Sequence, residues 1–303
     1  MGEQHMHSPV CGNHERIVVG VDHCGASVAA LRWAAAQARL RHTHLHVVHA
    51  WQPPGSRSQA EDVLRDLLAE AFAALPAGVE QLAVQASPAE ALVAASHGAA
   101  LLVLGPHVRG AFGEIFRSVS RRAAAFATCP VAAVREGQDG EGRRGRVVVG
   151  VDDSFTSRDA LSWAAAEAVR RKARLTVIHA VVPMPRTAAW AQGEAREMVS
   201  QLLAETLTGP LADVPVTIDT RPATGRASGK GARSRASAAL IGASESAALL
   251  VIGSHGYGSI SGAITGSITS DCLRAAACPV VIIPAAREDQ HAGIRSARVA
   301  MEQ

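Results

Sequence analysis

The sequence predicts an α/β protein built from two tandem, doubly wound domains. Two observations carry this prediction: the chain contains an internal duplication, and each copy alternates short apolar runs with Ala-rich stretches. Continuous apolar runs are typical of strands buried on both faces, and such strands alternating with helices form parallel sheets. The length agrees, because 303 residues are enough for two domains of ordinary size.

The duplication is visible as a gapless alignment at a shift of 130 residues, in which 16–50 and 146–180 share 19 of 35 positions. Further on, 101–105 matches 249–253, and the Cys-Pro-Val run at 129–131 matches 278–280. Matching blocks that recur in one order indicate a true repeat. We therefore place the domains at residues 14–136 and 146–285, joined by a Gly-, Arg- and acid-rich linker.

Each copy contains five predicted strands. They cover residues 17–21, 45–48, 82–85, 101–104 and 131–134 in the first copy, and 147–151, 175–178, 214–218, 249–252 and 280–283 in the second. Predicted helices cover 27–39, 61–74, 157–171 and 194–207. Ser27 and Ser157 stand near the start of the first helix of each copy, which is typical of a capped helix.

Composition excludes several classes of function. Four Trp, one Tyr and five Phe leave little for stacking on nucleic-acid bases, and a net charge of +3 gives no basis for a nucleic-acid or membrane partner. There is no run of 18 apolar residues, and residues 1–16 contain no apolar core, so we predict neither a membrane-spanning segment nor a secretory signal there. The five cysteines form no CxxC motif, which favours reduced thiols in a cytoplasmic protein.

The strongest chemical signal follows the fourth strand of the second copy. There Gly253 and Gly256 are followed, after nine residues, by Gly266 and Ser267, giving the pattern G-x2-G-x9-G-[ST]. Glycine lets the backbone approach a ligand closely. A helical stretch follows, so free backbone N–H groups at its start suit a phosphate, with Ser267 and Thr269 adding hydroxyls. The alternative is an ordinary Gly-rich loop.

A carboxylate stands at the same predicted edge. Asp152 closes the first strand of the second copy, where it can accept hydrogen bonds from ribose hydroxyls. Doubly wound sheets bind ligands beyond the carboxyl ends of their strands, at the point where the strand order reverses. Together with the glycine pattern, this predicts a nucleotide site.

These residues resemble those of tandem universal stress proteins, and the resemblance covers nearly the whole chain. It rests on the run 149–152 with Ser154, on His179-Ala180, on the glycine pattern, and on the run 278–280. It implies a five-stranded parallel sheet of order 3-2-1-4-5 in each domain, flanked by helices. It also implies ATP contacts from Asp152, Ala180, Ile252, Gly253, Gly256, Gly266, Ser267 and Ile268, with Val151 lining the adenine pocket.

The first copy departs from this pattern. Val108 replaces the second glycine, Arg117 replaces the third, and the spacing is one residue shorter. A valine side chain blocks close backbone approach, so we predict that the first copy binds ATP weakly or not at all. Its residual contacts would be Asp22, Gly105 and Ser118. The resemblance implies that the fifth strands pair between domains as an intramolecular pseudo-dimer, and leaves a further homodimer open.

Other candidate residues carry weaker signals. His42, His44 and His46 alternate into the second strand and could bind a metal, but a solvated cluster is favoured, so no metal site is predicted. His49 and His179 are interpreted as packed, hydrogen-bonded histidines rather than catalysts. Cys129 and Cys278 are interpreted as core thiols. The basic stretch 221–235 is interpreted as a flexible loop, with a phosphate- or partner-contacting lid as the alternative.

Three functions remain at this point. The first is an ATP-binding sensor or regulator in stress response, without efficient catalysis and with an unidentified signalling partner. The second is a slow ATPase or autophosphorylating enzyme, and the third is a structural pseudo-dimer that uses nucleotide for stability only. Phosphoryl transfer needs metal-holding carboxylates, a base and cations. The motif offers only Asp152, Asp153 and His255, so the sensor ranks first and a role for Mg²⁺ stays open.

Overall fold

The computed structural model describes residues 16–105, 126–138, 145–152, 154–181, 188–222, 235–254 and 267–285. The strands of the first half are β1 (Arg16–Gly20), β2 (His44–Trp51), β3 (Val79–Gln85), β4 (Leu101–Leu104) and β5 (Val131–Ala133). Those of the second half are β6 (Arg146–Gly150), β7 (Arg174–Val181), β8 (Val216–Pro222), β9 (Leu249–Gly253) and β10 (Val280–Ile283). The helices are α1 (Gly25–Arg41), α2 (Arg57–Ala71), α3 (Pro88–Ser96), α4 (Phe155–Arg171), α5 (Ala188–Thr206), α6 (Arg235–Ser244) and α7 (Ser267–Ala275), with a short 3₁₀ helix at Gly209–Leu211.

All ten strands form one sheet in the order β3-β2-β1-β4-β5-β10-β9-β6-β7-β8. Within each half the described strand pairs are parallel and follow the order 3-2-1-4-5, which confirms the predicted fold class. The halves join where β5 pairs antiparallel with β10, with Val281 opposite Ala132. This is the pairing of fifth strands that the resemblance implied. It also covers two apolar strand edges that would otherwise be exposed.

The hydrophobic core explains why the central strands are apolar throughout. On one face of the sheet, a single cluster runs through both halves, joining alternate residues of β1 and β6 to helices α1, α2, α4 and α5. On the other face each half has its own cluster, under α3 in the first half and under α6 and α7 in the second. Residues in β4 and β9 alternate between these faces, so both faces must be apolar.

The serines predicted to cap the first helices have a different role. Helices α1 and α4 begin at Gly25 and Phe155, so Ser27 and Ser157 lie in the first turn instead of before it. The residues at the cap positions, Cys24 and Ser154, make no side-chain cap hydrogen bond. The serine hydroxyls instead bind the aspartate that precedes each helix.

Two described helices were not predicted from the sequence. Helix α3 begins with a capping box, in which the Ser87 hydroxyl accepts from the Glu90 amide and the Glu90 carboxylate accepts from the Ser87 amide, with Pro88 in the first turn. The Ser-Pro-Ala-Glu run at 87–90 is the sequence pattern of this box. Helix α6 has no comparable described cap. Strand β8 covers Val216–Pro222, whereas the sequence predicted a strand at 214–218. It extends further because all seven of its residues pair with residues of the long strand β7.

Candidate functional site

The candidate site lies at the carboxyl edge of the second half. Strands β6 and β9 are neighbours there, although the chain leaves β6 for β7 on the opposite side, so the strand order reverses between them. Helix α4 begins just after β6, and α7 follows β9. Such a reversal opens a crevice beyond the strand ends, which is where doubly wound proteins bind ligands.

The Asp152 side chain is fixed by a closed ring of hydrogen bonds. The Asp152 amide donates to Ser157 Oγ at 2.8 Å, and that hydroxyl donates to Asp152 Oδ1 at 2.6 Å. The Ser154 amide donates to the same oxygen at 3.1 Å, and the Ser154 hydroxyl also binds it. Ser157 was not predicted to position the aspartate. Its spacing of five from the aspartate recurs in both copies and was the available signal.

The residues that the resemblance assigns to the adenine pocket lie at the carboxyl ends of β6 and β7. Val151 is 6% exposed, and its carbonyl oxygen accepts a hydrogen bond from His179 Nδ1 at 3.0 Å. His49 makes the equivalent bond to the Val21 carbonyl at 2.9 Å. Each histidine therefore links the second strand of its half to the end of the first by a hydrogen bond. Ala180 follows His179 on β7, opposite Arg221 of β8, and is partly exposed at this edge.

The residues predicted from the glycine pattern to hold ribose and phosphates lie at the end of β9 and the start of α7. Ile252 is 3% exposed and Gly253 ends the strand. Helix α7 begins at Ser267, whose side chain is exposed, while Ile268 is half-buried. Thr269 is buried, and its hydroxyl donates to the Gly253 carbonyl at 3.4 Å, which links the helix start to β9. Gly256, Gly266 and His255 lie outside the described residues.

The edge of the first half has the same frame with different side chains. The Asp22 amide donates to Ser27 Oγ at 2.9 Å, and that hydroxyl donates back to Asp22 Oδ1 at 2.7 Å. The His23 ring packs edge-to-face on His49 with centroids 5.6 Å apart, where the second copy has Asp153 in place of His23. Val108, Arg117 and Ser118 lie outside the described residues.

Gly105 has a packing role in the first half. A Cβ at this position would lie 2.5 Å from the Ala26 carbonyl oxygen and 2.8 Å from its carbon, both in the first turn of α1. Because those atoms are backbone, they cannot rotate away. The end of β4 therefore needs glycine so that α1 can approach, whether or not a ligand binds.

We expect Gly105→Ala to lower the free energy of unfolding by about 1–3 kcal/mol, because the methyl group displaces the first turn of α1. The midpoint of urea unfolding measures this change. The matched control is Gly242→Ala, on α6, where an added Cβ meets no described atom outside its own helix within 4 Å. That control should be neutral or slightly stabilising. Equal midpoints for Gly105→Ala and the parent chain would contradict the packing role.

The remaining candidates do not form a second site within the described residues. His46 Nε2 lies 2.8 Å from Glu80 Oε2, and no described group of three or more His, Cys, Asp or Glu side chains could hold a metal ion. Cys129 and Cys278 are buried, and burial raises the pKa of Cys129 to about 12. Most of the basic loop at 221–235 lies outside the described part of the chain. No described helix has the length and apolar character needed to cross a membrane.

Fold and site together define a class of protein: a duplicated, doubly wound α/β protein with an aspartate–serine hydrogen-bond ring at the carboxyl edge of each half. The model of the universal stress protein family matches residues 13–135 and 143–284. The chain therefore belongs to the universal stress protein family, as the sequence resemblance indicated.

The chain is similar to full-length mycobacterial members of this family. Universal stress protein Rv2623 of Mycobacterium tuberculosis is 34% identical over 300 residues, covering 88% of this chain and 95% of that protein. Universal stress protein Rv2005c of the same organism is 32% identical over 299 residues, covering 88% of this chain and 96% of that protein. A crystal structure of a universal stress protein from Archaeoglobus fulgidus, 18% identical, shares the fold with a TM-score of 0.65 over 91% of this chain and 98% of that one.

Proposed function

We propose that the second half binds ATP at its carboxyl edge and that the protein is a nucleotide-dependent sensor or regulator in stress response, acting in the cytoplasm without efficient catalysis. The observation that carries the proposal is the convergence of three groups at one edge. Asp152 follows β6, Gly253 ends the adjacent β9, and α7 starts at Ser267 beside them. A carboxylate, a glycine strand end and a helix start are the chemistry that a nucleotide needs.

The start of α7 is the proposed phosphate end. The first amides of a helix have no partner within the helix and carry partial positive charge, so they favour an anion. The bond from Thr269 to the Gly253 carbonyl holds this helix start against β9. Ser267 has an exposed side chain in the first turn and can add a hydroxyl donor. This donor set fits a polyphosphate.

The adenosine end is proposed to lie against β6 and β7. Val151 would line the base with its apolar side chain, and Ala180 would offer backbone groups to the base. Asp152 would accept from ribose hydroxyls. The ring of bonds through Ser154 and Ser157 holds the carboxylate in place before a ligand arrives, so less ordering is needed on binding.

These residues support the binding of ATP better than they support phosphoryl transfer. ATP when bound supplies a transferable phosphoryl group, but transfer needs cationic clamps, metal-holding carboxylates and a positioned base. At the described edge, Asp152 Oδ1 already accepts hydrogen bonds from its own turn, and that turn defines the position of the side chain. We therefore assign Asp152 to positioning the ligand. Slow hydrolysis of ATP is the alternative that the nucleotide assay below distinguishes.

The test uses the full-length chain purified without added nucleotide. The protein is denatured, and released nucleotide is identified and counted by chromatography, before and after hours of incubation. We expect ATP at up to one molecule per chain, persisting through the incubation. Steady accumulation of ADP would replace the sensor with a slow ATPase. Absence of nucleotide, together with no ATP binding by calorimetry, would overturn the proposal.

A further inference from the structure

Helices α1 and α4 meet across the junction of the two halves through charged and aromatic side chains. We name these the inter-half cluster: Trp33, Gln37 and Arg41 on α1, and Trp163, Glu167, Arg170 and Arg171 on α4. Three residues of each helix are spaced four apart: Trp33, Gln37 and Arg41 on α1, and Trp163, Glu167 and Arg171 on α4. They therefore lie along one helix face.

The cluster has an approximate two-fold arrangement. The Arg41 guanidinium carbon lies 5.8 Å from the centroid of the Trp163 ring, and that of Arg171 lies 5.9 Å from Trp33. These residues occupy matching positions in the two copies. Each arginine thus packs on the tryptophan of the other half, and both contacts are favourable cation–π interactions.

Glu167 is the carboxylate at the centre of the cluster. It is fully buried, and accepts from Arg41 Nη2 at 2.6 Å across the junction and from Arg171 Nε at 2.5 Å within α4. Arg170 Nη1 lies 3.2 Å away. Burial by itself would raise the pKa of Glu167, but the charges of Arg41 and Arg171 hold it below its ordinary value. The side chain is therefore ionised at neutral pH.

The two-fold arrangement is broken at one position. The residue matching Glu167 is Gln37, whose Oε1 accepts from Arg41 Nη1 at 2.6 Å. Arg41 Nη2 donates to Glu167, but the matching atom, Arg171 Nη2, is buried with no hydrogen-bond partner within the described chain. The missing partner is the one that a carboxylate at position 37 would supply. Three guanidinium groups thus share one carboxylate.

We propose that the inter-half cluster is a pairing surface that two first halves cannot use, because it needs the carboxylate that Glu167 of a second half supplies. If two first halves met through this surface, the interface would bury two copies of Arg41. Each would face Gln37, and no carboxylate would be present. Leaving a buried charge uncompensated is strongly destabilising. Pairing with a second half supplies Glu167 and avoids this penalty. Because the arrangement is approximately two-fold, a carboxylate at position 37 should replace most of the effect of Glu167, without the contact that Arg170 adds within α4.

The test moves the carboxylate across the junction in the full-length chain. Glu167→Gln gives the cluster the Gln/Gln composition of two first halves, and should lower the Tm by roughly 6–12 °C. The double variant Gln37→Glu/Glu167→Gln should recover most of that loss, because the carboxylate moved to position 37 would meet both Arg41 and Arg171. Gln37→Glu alone should raise the Tm by about 2–4 °C, since it gives Arg171 Nη2 an acceptor.

The matched control is Glu205→Gln, which removes a carboxylate from an exposed pair with Arg158. It should change the Tm by less than about 2 °C, because exposed pairs contribute little. A double variant no more stable than Glu167→Gln would overturn the proposal, since the carboxylate would then act only within α4. If Glu167→Gln does not fold, the double variant must still fold and elute from a sizing column like the parent chain; failure of both overturns the proposal.

Discussion

Replacing Gly266 with arginine is expected to abolish ATP retention while the fold stays intact. The change copies the departure of the first copy, which has Arg117 at the matching position. Gly266 immediately precedes Ser267, the first residue of α7. A long side chain there would cover the amides that are proposed to hold the phosphates, and glycine is the residue that leaves them accessible. Nucleotide released on denaturation is the measurement.

The control for this prediction is Gly242→Arg. Gly242 is exposed on α6, near the amino edge of the sheet, and a Cβ added there meets no described atom outside its own helix within 4 Å. This variant adds the same charge to the chain at a distance from the proposed site, and should retain ATP like the parent. Unchanged retention in the Gly266→Arg variant would mean that the phosphates lie elsewhere.

Replacing Asp152 with alanine is expected to weaken ATP binding about tenfold to a hundredfold. Hydrogen bonds to a charged group contribute roughly 1.5–3 kcal/mol each, and the ribose hydroxyls would lose their acceptor. Isothermal calorimetry on nucleotide-free protein measures the change. Asp152→Asn should lie between the parent and the alanine variant, because the amide keeps one acceptor oxygen for the Ser154 and Ser157 donors.

Asp22→Ala is the matched control in the first half. Asp22 makes the same ring of bonds with Ser27 that Asp152 makes with Ser157. The two alanine variants should therefore lose similar stability in unfolding experiments, yet only Asp152→Ala should lose ATP affinity. Equal loss of affinity in both variants would show that nucleotide binds in both halves or that the effect is on folding.

Much of the fold was predictable because each step depended on local pattern. The apolar runs of β1, β4, β6 and β9 are buried on both faces, so their sequence signal is strong, and the duplication tested each assignment twice. The strand order came from the family resemblance. Helix α3 was not predicted, although residues 87–90 carry the pattern of a capping box. The strand before it, β3, is weakly apolar and exposed, so the boundary between the two elements gives a weak signal.

The inter-half cluster was not predictable in the same way. Arg41 and Glu167 are 126 residues apart, and each stands in a helix whose local pattern gives no sign of a partner. Their contact follows from the antiparallel pairing of β5 with β10, which brings α1 and α4 together. At the carboxyl edge of the second half, Asp152 was predicted to close the first strand, but β6 ends at Gly150 and Asp152 lies two residues beyond it. The ring through Ser157 became visible only with atomic positions.

The most direct test of the nucleotide site is a crystal structure of the full-length protein purified without added nucleotide. We predict density for an adenine nucleotide at the carboxyl edge of the second half, with the ribose beside Asp152 and the phosphates between Gly253 and the start of α7. Side chains filling that crevice, or an empty crevice after soaking with ATP, would contradict the account.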